Sequence, residues 1–168
     1  MYDVYASILF AQMADVIAET PKGQRPEWPT ALKQLRVHAF LGANQYVHLD
    51  ERCDGHEEEF LEILAEAVRR LAACGRITAK EAAAWIVCGR QPIIWRGEGF
   101  EETAPVIAFA ESLDAIVRGE YPEQPAGYCW FFGGCGVSVI GWVHRGGDLG
   151  NVGAVRQFDR AARIDELD

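Results

Sequence analysis

The side chains best equipped for chemistry lie toward the C-terminal end of the sequence. Cys135 stands between Gly134 and Gly136, His144 comes nine residues later, and Asp148 four after that. A thiolate nucleophile needs a neighbouring base and an exposed, electropositive niche, with a carboxylate to orient the base. If 128–132 and 137–143 form a hairpin, Cys135 sits in its connection and His144 lies across it on the adjoining strand. Such a set would serve a small thiol hydrolase or transferase. The structural alternative treats Cys129 and Cys135 as small buried apolar side chains.

A second group of candidate ligands is His48, Cys53 and His56. Cys53-x₂-His56 has the close spacing that tetrahedral zinc uses, but no matching second pair completes a four-ligand set. His56-Glu57-Glu58-Glu59 is not a metalloprotease H-E-x-x-H, because Phe60 stands where the second histidine belongs. Gly146-Gly-Asp-Leu-Gly150, running on to Gly153, offers backbone amides for an anion, with Arg145 beside them. Its spacing matches neither the dinucleotide fingerprint nor a P-loop, and Asp148 repels an anion. No metal or cofactor is therefore assigned.

These residues must be positioned by elements that the patterning predicts. Residues 4–19 place Ile8, Leu9, Met13, Val16 and Ile17 near helical spacing, with Asp3 as N-cap. Pro21, Gly23, Pro26 and Pro29 break the chain into a loop, and Thr30 opens a second helix that Gly42 ends. Tyr46–Leu49 reads as a short strand or an extended linker. Asp54-Gly-His-Glu57 has the shape of a capping box, behind which Phe60, Leu61, Leu64, Val68 and Leu71 share one face, closed by Gly75. Thr78-Ala-Lys-Glu81 opens a further helix to Gly89, so 55–89 reads as an antiparallel helix pair joined by a tight turn. Pro92–Trp95 reads as a short strand. Thr103 and Pro105 open a helix that stops at Gly119. After the hairpin, the spacing of Val152, Val155, Phe158 and Ala162 favours a last helix over 151–163, with a strand at 152–158 as the alternative.

The expected fold is therefore α+β and predominantly helical. It has about five helices, with a small antiparallel β-hairpin or three-stranded sheet near the C-terminus, in a single domain over 1–168. Nearly half of the 168 residues are apolar, which excludes disorder as the state of the whole chain. The longest uncharged stretch, 124–143, carries Pro125 and five glycines and reads as turns between strands, so no membrane span is expected. Five cysteines cannot all pair, and Asp3 stands where a secretory signal needs positive charge, so the expected compartment is the cytoplasm. Only three of sixteen basic residues are lysine, a bias that fits a GC-rich bacterial or phage genome.

Charge layout is the most informative feature. The formal net charge is −9, which argues against a nucleic-acid coat or an anionic-membrane binder. It is not spread evenly. Residues 50–66 hold eight acids against Arg52, net −7; 67–97 hold six basic residues against Glu81, net +5; 98–123 hold seven acids against Arg118, net −6. Solvated helix faces with dipole-matched ends account for part of this. The functional reading is an acidic face that steers the domain onto a basic partner. The residues expected to make that contact are Asp50, Glu51, Asp54, Glu57, Glu58, Glu59 and Glu62, with Trp28 in Pro26-Glu-Trp-Pro29 as an exposed anchor. The expected function is a non-enzymatic protein-binding domain of the acidic inhibitor, immunity or anti-defence type. The Cys135–His144 enzyme is the alternative.

Overall fold

The computed structural model describes residues 4–24, 45–46, 55–88, 91–92, 99–120, 126–132, 137–144 and 153–159. The second helix expected over 30–42, and the caps assigned to Asp3 and Asp54, fall outside them.

Helix α1 spans Val4–Glu19. Every residue from Tyr5 to Ala11 is buried, and Ile8, Leu9 and Met13 are fully sealed from solvent. Seven consecutive residues sweep nearly two turns at 3.6 residues per turn, so no side of this segment is left to water. Helix α1 is a central helix over its first two turns, while Gln12, Asp15 and Glu19 mark a less buried polar side further along. Two further helices account for much of its cover. Helix α2, Glu57–Cys74, and helix α4, Thr103–Val117, each pack against α1 and against one another.

The buried face of α2 is Phe60, Ile63, Leu64, Ala67 and Leu71, at intervals of three and four. Ile63 and Ala67 thus take places that spacing had given to Leu61 and Val68, which sit partly buried against the core. From α4, Val106, Phe109, Ala110 and Leu113 complete the cluster. Each large side chain sealed in this way contributes on the order of 1.5–3 kcal/mol of transfer free energy. Gly75 ends α2 at φ +70°, a left-handed conformation that costs glycine little, and its N–H donates to the Leu71 carbonyl at 3.1 Å.

Beyond Gly75 the chain departs from the expected tight turn. Arg76–Thr78 forms a strand, β2, paired antiparallel with β5, Phe100–Glu102, in the register Arg76 to Glu102 and Thr78 to Phe100. The Thr103 N–H donates to the Gly75 carbonyl and the Ala79 N–H to the Gly99 carbonyl, both at 3.0 Å, so the ribbon is tied at each end. Helix α3 is short, Ala79–Ala84, and does not continue to Gly89. Trp85 turns extended, and Ile86–Cys88 becomes strand β3, paired with β4, Gln91–Pro92. Branching at Cβ in Ile86 and Val87 favours this extended state over a last helical turn.

A four-stranded antiparallel sheet runs in the order β1-β6-β7-β8, with β1 at Gln45–Tyr46, β6 at Tyr128–Phe132, β7 at Val137–His144 and β8 at Gly153–Asp159. The last helix favoured over 151–163 is therefore corrected to a strand across 153–159. Hydrogen-bonding partners along β7 outweigh the three-residue spacing of Val155 and Phe158, because backbone groups of β8 pair with Val137 through Trp142. The register slips by one residue between Ile140 and Gly141, and a glycine is a common companion of such a bulge.

Predominantly helical content with antiparallel strands is thus the architecture of the described residues. They contain four α-helices, none long and apolar enough to cross a membrane.

Candidate acidic binding face

The acidic residues of α2 divide into two groups once their partners are known. Glu57, Glu58 and Glu59 occupy the first turn, where helix-terminal N–H groups favour negative charge. The N-cap is His56, whose side chain makes no capping hydrogen bond. Instead the Glu57 carboxylate reaches back and accepts the Gly55 N–H at 3.1 Å. Beside it, His56 Nδ1 lies 3.3 Å from Glu59 Oε2, a carboxylate oxygen shut off from solvent.

Glu58 in the first turn and Glu62 one turn further along are both exposed. They stand four residues apart and have no cationic partner among the described residues. Like charges at this spacing repel by roughly 0.2–0.5 kcal/mol, a term that the favourable helix N-terminus offsets at Glu58.

Glu66 is a different case. It accepts from Arg69 Nε and Nη2, each at 2.7 Å, and from Arg70 Nε at 2.9 Å. These charge-assisted bonds, Arg69's first and Arg70's next, hold its carboxyl down at about 2. Arg70 Nη2 also donates to Glu19 Oε2 at 2.9 Å, joining α2 to the end of α1. A dipole-matched C-terminal end needs cations in the last turn of α2, but Arg69 and Arg70 lie before it and are engaged by carboxylates.

Two cations of the basic block, Arg69 and Arg70, are paired within the fold, whereas Arg76 lies over the Phe100 ring at 5.3 Å to the centroid and keeps its charge. Lys80 is exposed on α3. Arg90 and Arg96 lie outside the described residues. Glu57, Glu58 and Glu62 on the N-terminal half of α2 are exposed, and no described cation pairs with Glu58 or Glu62.

Of the residues expected at a partner contact, the structure places Glu57, Glu58, Glu59 and Glu62 on two successive turns of α2. Asp50, Glu51, Asp54 and Trp28 lie outside the described residues. So do Cys135 and Asp148. His144 ends β7 opposite Tyr128, seven residues and roughly 23 Å along the strand from Val137, which adjoins the 133–136 connection. Among the described residues no group of three or more histidine, cysteine, aspartate or glutamate side chains is placed to hold a metal ion.

Two contacts of the α2 to β2 region carry no local signature. The Glu19–Arg70 bridge joins positions 51 apart, and the Arg76–Phe100 stack depends on the β2–β5 pairing. The Glu66–Arg70 pair, by contrast, arises from spacing of four along one helix. Comparison with protein-family models, with curated proteins and with solved structures finds no match for this chain.

Proposed function

We propose that this chain is a non-enzymatic protein-binding domain, an acidic factor of the inhibitor, immunity or anti-defence type that occupies a basic site on a larger bacterial or phage partner. The carrying observation is the exposed Glu58–Glu62 pair, left without a cation among the described residues while Glu66 on the same helix is held by two arginines. Two like charges that face water without a cation among the described residues are suited to compensation by a partner, since complementary potentials speed encounter and reject wrong partners. Glu57 and Glu59 extend the same face, and Asp50, Glu51, Asp54 and Trp28 are proposed to belong to it. The proposed compartment is the cytoplasm, which accords with an exposed free thiol at Cys74.

The test is capture of partners from the native host by the tagged protein, at low and at high salt, with identification by mass spectrometry. The wild type is expected to retain a basic protein that high salt releases. The double reversal E58K/E62K is expected to abolish that capture, and E58Q/E62Q to weaken it while disturbing the helix dipole less. Circular dichroism should show unchanged helicity in both. Equal capture by wild type and both variants would overturn the acidic-face reading.

A further inference from the structure

We draw no further inference here: the strongest candidate, the His56–Glu59 side-chain pair at the N-terminal turn of α2 (Nδ1 to Oε2 3.3 Å), lies within the acidic face already described, and nothing in the structure shows a ligand there.

Discussion

Arg70 on α2 bridges two elements: its Nη2 donates at 2.9 Å to Glu19 at the end of α1, while its Nε donates at 2.9 Å to Glu66 on its own helix. Only 27% of its side chain is exposed, so the guanidinium is fixed between the helices and its stem is largely covered. The prediction concerns coupling. In a double-mutant cycle with E19Q and R70M, measured by urea unfolding, the Glu19–Arg70 interaction should be worth about 0.5–1 kcal/mol, the upper part of the range for partly exposed pairs. A coupling of zero would mean that the bridge does not help to hold α1 and α2 together.

Acid should expose the Glu66 cluster. The carboxyl is depressed from 4.5 to about 2 by Arg69 and Arg70, so the folded protein holds its charge more firmly than the unfolded chain does. A depressed folded value contributes stability above the unfolded value and loses it as pH falls through the folded one. Stability should therefore decline between pH 4.5 and about 2, and E66Q should flatten that part of the profile. Glu81, lowered by its bonds from Thr78, adds a decline of the same sign. Thermal melts of wild type, E66Q and E81Q across this range check both contributions.

The Thr78–Glu81 capping box is complete. The Thr78 hydroxyl accepts the Glu81 N–H at 3.2 Å, and the Glu81 carboxylate accepts the Thr78 N–H at 2.8 Å. Thr78→Ala should cost about 1 kcal/mol in chemical denaturation. Thr78→Ser should recover most of it, because the hydroxyl rather than the methyl group makes the bond.

Central placement of α1 makes a prediction that a one-sided helix does not. Ile8 and Phe10 point in roughly opposite directions around the axis, two residues apart at ~100° each, yet both are buried. Alanine at either site should cost on the order of 2–5 kcal/mol. Phe100→Ala, at the most exposed large apolar side chain among the described residues, should cost far less. If chemical denaturation finds only one of Ile8 and Phe10 costly, α1 is a surface helix.

Thiol labelling separates the proposed function from its enzymatic competitor. Cys74 is exposed at the end of α2 and should react readily with iodoacetamide in the native protein. Binding without catalysis predicts no effect of His144→Ala on the labelling of Cys135. Selective rapid labelling of Cys135, slowed by that substitution, would favour thiol chemistry instead.

Features governed by neighbours a few positions away were legible in the sequence. The 4–19 helix, the stop of α2 at Gly75, the Thr78–Glu81 box and the stop of α4 near Gly119 all arise from side-chain chemistry within one or two turns. So does the acidic first turn of α2. The two misplaced helical stretches have different causes. At 86–88 the partner strand is only three to six residues on, and the β-branched Ile86 and Val87 carry the local signal for extension; at 153–159, where a strand over 152–158 is the alternative reading, pairing with β7 decided between the two. At the start of α2 the His56 carbonyl accepts the Phe60 N–H at 3.0 Å, and Glu57 reaches back to the Gly55 N–H, in the manner of a capping-box glutamate.

The candidate face shows the same division. Composition and order determined that residues 50–66 are strongly acidic and 67–97 basic, because charge is a property of each residue alone. Which charges remain available was decided by the tertiary structure. Packing α2 against α1 brought Glu19 within reach of Arg70, and the β2–β5 pairing set Phe100 beneath Arg76. A guanidinium satisfied within the fold is less available to a partner, whereas Glu58 and Glu62 stay in water because the helix turns its apolar side inward.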